Sequence, residues 1–152
     1  MDEIDVKILK CLRNNARENA SVISDKVNMS VSAVIERIRK LEAAGMITKH
    51  TTLINAAKAG KDVNALVSVS LEHPKYNDRF HVFVKENKEI LECFYITGDF
   101  DFMLRVVTDN TQSLEHLLNG VKALPGVANT RTILVLSTVK EEHSIDPDEI
   151  LR

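Results

Sequence analysis

Tryptophan is absent from this chain of 152 residues, and cysteine, proline and glycine are scarce, at two, three and five residues. So little proline and glycine excludes collagen-like and low-complexity architectures. The two cysteines, Cys11 and Cys93, stand far apart among apolar neighbours (Leu9 and Leu12; Leu91 and Phe94), a setting for small buried side chains rather than a disulfide or metal site. No apolar run is long enough to span a bilayer, and Met1 is not followed by a basic and then an apolar stretch. The sequence is therefore read as a cytoplasmic protein with no targeting segment and no membrane contact. Among His50, His73, His81, His116 and His143 no two share metal-ligand spacing, and no Ser, Cys or Lys stands in a recognisable nucleophile setting. No catalytic residue, metal ligand or cofactor is assigned.

What is present is ordinary globular composition, 44% apolar and 28% charged, enough for one medium domain or two small ones. The formal charge of −2 is unevenly spread: residues 1–60 carry ten Lys and Arg against seven Asp and Glu, and residues 61–152 carry ten against fifteen. Any contact with a polyanion belongs to the front half.

In that half, Ile4, Ile8, Leu9, Cys11 and Leu12 recur at helical spacing, with Asp2, Glu3 and Asp5 at the positive end of the helix dipole. After a polar break, Asn19 is placed to cap a short second helix whose inward residues are Ile23 and Val27. Asn28 suits the left-handed conformation of a tight turn, and Ser30 caps a third helix that runs to about Ala44 and stops at Gly45. Three helices with a three-residue turn before the last match the helix-turn-helix plan, in which the third helix enters the major groove. On a helical wheel Val31, Val34, Ile38 and Leu41 form the apolar stripe, and Ser32, Ala33, Glu36, Arg39 and Lys40 face outward. Small residues permit close approach, a carboxylate can accept from cytosine, and cations suit guanine or phosphate. Any amphipathic surface helix has a charged side, but the order of elements and the basic half favour DNA. Arg37, at the flank, either touches phosphate or pairs with an acid such as Glu36 or Glu42.

Residues 46–54, rich in β-branched side chains, are expected to form an extended hinge strand, followed by a linker to Asp62. Because an isolated strand leaves its backbone groups unpaired, its expected partner is the same segment of a second subunit. Beyond it the pattern reads βαββαβ: strand 63–71, helix 76–87, strand 91–97, strand 102–108, helix from Asn110 or Thr111, and a last strand 130–139. Such a unit packs two helices on one face of an antiparallel sheet, ferredoxin-like, and apolar residues on both faces of the last strand (Ile133, Val135 and Val139; Leu134 and Leu136) call for another subunit as cover. The expected domains are 1–46, a hinge and linker over 47–62, and 63–152, in an α+β fold. Between the middle strands, Gly98-Asp99-Phe100-Asp101 offers backbone amides for a carboxylate and acids for an ammonium, the two halves of an amino-acid zwitterion; an ordinary Gly-Asp hairpin turn is the alternative.

Three stretches together, Ile4-Asp5-x-x-Ile8-Leu9, then Ser30-x-Ser32-x-Val34-x-x-Arg37-Ile38-x-x-Leu41-Glu42-x-x-Gly45-Met46-Ile47, and later Gly98-Asp99-Phe100-Asp101-Phe102, with Leu124-Pro125-Gly126-Val127 before the last strand, resemble the Lrp/AsnC (feast/famine) regulators over nearly the whole chain. The resemblance implies a winged-helix-like DNA-binding domain and a homodimer that assembles to tetramers or octamers. It also implies an amino-acid effector bound between dimers. Carried onto this sequence, Ser30, Ser32, Ala33, Glu36, Arg37, Arg39 and Lys40 are DNA-facing, and Thr97, Gly98, Asp99, Phe100 and Asp101, with Leu134 and Val135, lie near the effector. Asn28 stands where the family usually has Gly, Val22 where Glu is common, and Phe100 where Tyr is frequent. Two other readings compete: an enzyme of the same architecture resembling tetrapyrrole-pathway decarboxylases, with Asp99 and Asp101 as paired carboxylates, and an amino-acid-sensing module that does not bind DNA.

Overall fold

A computed structural model describes residues 1–150, which divide into two compact units, one made of residues 1–53 with the chain from Lys140 onward and the other of residues 54–139. The first unit begins with helix α1 (Glu3–Asn14). Its first turn is closed by a capping box: the Asp2 carboxylate accepts the N–H groups of Ile4 at 3.0 Å and Asp5 at 2.9 Å, and the Asp5 carboxylate accepts that of Asp2 at 2.9 Å. Helix α2 (Ala20–Val27) follows without a side-chain cap from Asn19, contrary to the sequence expectation; the Asn19 carbonyl instead receives the N–H groups of Val22 and Ile23. Asn28 takes the left-handed conformation, φ 52°, that turns the chain into helix α3 (Val31–Ala43). Ser30 Oγ accepts the Ala33 N–H, and at the far end Gly45, φ 70°, lets the Met46 N–H return to the Leu41 carbonyl at 2.9 Å.

Ile8, Ile23, Val27, Val34 and Leu41 bury between the three helices, with Ile4, Leu9, Leu12, Ile38 and Ile47 packed around them. Val31, expected on the inward stripe, is exposed: a helical side chain leans toward the N-terminus, and at the first position that direction leads out of the core. The segment over residues 48–55 forms no strand: a ladder needs a neighbour, and the first unit, to which residues 48–53 belong, has no strand among the described residues. The last residues also depart from the expected boundary. Instead of staying with the rear domain, 140–150 join the front unit, where Pro147 is buried, Asp148 pairs with Lys10 at 2.6 Å and Glu142 pairs with Arg13 at 2.8 Å.

The second unit is the expected βαββαβ arrangement. Strands β1 (Val63–Leu71), β2 (Ile90–Tyr95), β3 (Phe102–Thr108) and β4 (Val127–Leu134) form one antiparallel sheet in the order β2-β3-β1-β4. Helices α4 (Asn77–Glu86) and α5 (Thr111–Lys122) supply Phe80, Leu114, Leu117 and Val121 to a core closed by Ala65, Val67, Val69, Phe102, Leu104 and Val106 from the sheet. Asn110 caps α5 in a reciprocal pair with Ser113. The last strand starts and stops earlier than the sequence predicts, ending at Leu134 rather than Val139. Its neighbour in the sheet, β1, begins at Val63, so once Val135 has donated to the Asn64 carbonyl β1 is all but used up as a partner among the described residues.

Candidate DNA-binding helix and effector loop

Burying Val34 and Leu41 turns the other side of α3 to solvent, where Ser32, Glu36, Arg39 and Lys40 are all exposed and Ala33 is half-buried. Lys40 and Glu36 lie one turn apart at 3.8 Å, both well solvated, a pairing worth about 0.3–0.5 kcal/mol and readily exchanged for another partner. Arg39 has no ion-pair partner among the described residues. Ser30 is occupied as the helix cap, its hydroxyl 3.2 Å from that of Ser32. Arg37 pairs with neither Glu36 nor Glu42: its guanidinium reaches back to Asp2 and Asp5 at the start of α1, a partnership between residues more than thirty positions apart that no local spacing reveals. The sequence places those two acids only at the positive end of the α1 dipole. Glu42 instead meets His50 at 3.0 Å.

The loop between β2 and β3 holds Thr97, Gly98 and Asp99 exposed and Phe100 and Asp101 half-buried, and Gly98, at φ 109°, has open space where a side chain would stand. Asp101 does more than turn the chain. Its Oδ2 accepts the Leu71 N–H at 2.8 Å, its own N–H donates to the Val69 carbonyl at 3.0 Å, and its carbonyl accepts from Ile96 at 2.8 Å. Its carboxylate thus finishes the end of β1. The Asp99 side chain has no hydrogen bond among the described residues.

Leu134 and Val135 are not brought to this loop. Leu134 pairs with Ala65, whereas Asp101 meets Val69 and Leu71, so four to six residues of β1 separate them, roughly 13–20 Å at about 3.3 Å per residue. Neither a cleft of about 390 Å³ beside α1 nor one of about 460 Å³ between α4 and β2, lined by His81, Cys93, Tyr95 and Phe102, includes any of Thr97, Gly98, Asp99, Phe100, Asp101, Leu134 or Val135. The two cysteines are half-buried and free, and burial pushes both thiols above their ordinary range, which disfavours the thiolate. On the sheet face away from the helices, Phe94 is 52% and Ile133 42% exposed, beside Leu66 and Met103.

Two regions of the sequence match known families: residues 1–48 the winged helix-turn-helix DNA-binding domains, and residues 64–145 the Lrp/AsnC ligand binding domains. An HTH-type transcriptional regulator, FL11, of Pyrococcus horikoshii is 36% identical over 141 residues, 93% of either chain. The leucine-responsive regulatory protein of Haemophilus influenzae is 32% identical over 144 residues, 93% of this chain and 87% of that one. Among solved structures, a transcriptional regulator from Neisseria meningitidis in complex with L-Met superposes with a TM-score of 0.93 over 99% of both chains, at 26% identity. With its helix-turn-helix, its antiparallel βαββαβ unit and these matches over more than half its length, the chain belongs to the Lrp/AsnC family of DNA-binding transcription regulators, not to the enzymes.

Proposed function

We propose that this regulator reads DNA with the outer face of α3 and that its affinity or assembly responds to an amino acid held between subunits. The observation that carries the reading is the two-sidedness of α3, with Val34 and Leu41 buried and Ser32, Glu36, Arg39 and Lys40 turned to water. Ala33, small and near the N-terminus of the helix, permits close approach to the groove. Arg37 is engaged by Asp2 and Asp5 instead of DNA, and Ser30 contributes as a cap.

For the effector, the separation of Leu134 and Val135 from the loop favours a site assembled from two copies, with the loop from one and the end of β4 from another. Gly98 gives backbone amides access to the ligand carboxylate, and Asp99, whose side chain has no partner among the described residues, takes the ammonium, since Asp101 is already engaged by the Leu71 N–H. Phe100 and the exposed Leu134 suit an apolar or thioether side chain, and the neisserial relative was crystallised with L-Met. The apolar open sheet face and the ladder-less segment 48–55 favour a homodimer at least, with tetramers or octamers built from it.

Charge reversal tests the DNA reading: Arg39→Glu with Lys40→Glu is expected to abolish binding to a duplex enriched by the wild-type protein while the light-scattering mass stays constant. Retained binding refutes the assignment of the groove face. For the effector, thermal-shift measurements with each of the twenty amino acids, read beside light scattering, are expected to single out an apolar or thioether ligand, because a ligand that binds only the folded state raises its stability.

A further inference from the structure

Arg37 lies at the edge of the buried stripe of α3, between Val34 and Leu41, and points toward α1 rather than outward. Its Nη1 stands 3.0 and 2.9 Å from the two carboxylate oxygens of Asp2 and 2.7 Å from Oδ1 of Asp5. The Asp5 side chain is 13% exposed and that of Arg37 27%, so this pair is more sheltered than the ion pair Lys40–Glu36 on the outer face, while Asp2 caps it from the solvent side. Both acids are the capping box of α1 and hold backbone N–H groups of the same turn. One guanidinium therefore ties the first turn of α1 to the middle of α3 through charge-assisted bonds, stronger than neutral ones. The same contacts hold the Asp2 carboxyl below its ordinary range, through the Asp5 N–H first and Arg37 second, and raise Arg37 through Asp5 and then Asp2. Turn chemistry fixes the two ends of α3; this cluster is the polar tie at its middle.

We propose that Arg37 is a positioning residue for DNA recognition: clamped by Asp2 and Asp5, it sets the pose of α3 against α1 and makes no phosphate contact of its own. The inference rests on the reading of α3 as the DNA-contacting helix. It separates from the alternatives because it assigns the same sign to two opposite charge changes. Removing the cation at Arg37 and removing the anion at Asp5 both loosen the clamp, so both weaken binding. A phosphate-binding Arg37 would instead be released by neutralising Asp5, and binding would tighten.

The experiment uses the full chain and a duplex of about 30 base pairs, long enough for two half-sites, enriched by the wild-type protein from a random pool. Arg37→Gln, Arg37→Lys, Asp5→Asn and the double variant Arg37→Gln with Asp5→Asn are titrated across a salt series, each well below its own unfolding midpoint; Asn at position 5 still accepts the Asp2 N–H. Arg37→Gln and Asp5→Asn are each expected to bind about fivefold or more weakly, in keeping with coupling between contacting residues. The double variant should be no weaker than either single one, Arg37→Lys should recover part of the loss, and the salt dependence should keep its wild-type slope. A slope lower by about one counterion for Arg37→Gln, with tighter binding by Asp5→Asn, overturns the proposal. So do folded variants that melt earlier yet bind as the wild type does, which is the mark of a merely stabilising ion pair. A wild-type protein that enriches no sequence overturns the reading of α3 itself, and the two failures are thereby distinct.

Discussion

Asp101 separates a structural reading of the effector loop from a ligand-binding one. Replacing it with Ala removes the Oδ2 that accepts the Leu71 N–H at 2.8 Å and leaves that donor unpaired at the end of β1. A hydrogen bond to a charged group is worth about 1.5–3 kcal/mol. Because Asp101 is half-buried and water can partly replace it, about 1–1.5 kcal/mol is the reasonable share. For a unit of this size about 1 kcal/mol moves the midpoint by roughly 4–8 °C, so Asp101→Ala is expected to melt about 5–10 °C lower. Asp101→Asn keeps an oxygen in place and should lose less than half as much. The assay is supplied by the sequence: with no tryptophan, and with both tyrosines, Tyr76 and Tyr95, in the rear unit, intrinsic emission reports that unit alone. The same variants are then titrated with the amino acid found by thermal shift. A midpoint unchanged within about 2 °C for Asp101→Ala, well below that expected shift, together with a lost ligand response, would refute the reasoning and return Asp101 to the ligand.

Two further expectations follow from local geometry. A methyl group on Gly126 would collide with the Tyr76 ring at a backbone φ of 83°, so Gly126→Ala should unfold the rear unit at a much lower temperature. Adding Tyr76→Ala should recover the steric part and leave the conformational cost of about 1–2 kcal/mol, measured by circular dichroism since the tyrosine probe changes. At acid pH, Asp2 has a lowered carboxyl in the folded state, so its contribution is complete above the ordinary value of 3.8 and is lost as pH falls through the lower folded value. Unfolding of Arg37→Gln followed at about pH 5 down to about pH 2 should therefore show a shallower loss of stability than the wild type, and parallel curves would remove Arg37 from the linkage.

Periodicity made β1 and β3 legible to the residue, because both alternate between a helix-covered face and an open one. The turn at Asn28, the cap at Ser30 and the stop at Gly45 were equally readable, since each depends on a residue type with a local conformational preference. What escaped was set by distant partners. The length of β4 is decided by where β1 begins, the run of 48–55 has no ladder to join within the chain, and Arg37 finds its acids across the helix bundle. Sequence also placed Asp99 and Asp101 on equal terms, whereas only the strand register shows that one of them closes β1 and the other stays free.

The return of residues 140–150 to the front unit makes the DNA-reading part discontinuous in sequence. During synthesis the three helices emerge first, but the flank of α1 that meets Pro147, Asp148 and Glu142 stays bare until residues 140–150 have also been made. A fragment cut after the hinge would carry that unfinished flank permanently, with Leu9 and Leu12 beside it. Excised reader domains of this protein should therefore be handled with the closing segment supplied, either fused or as a separate peptide.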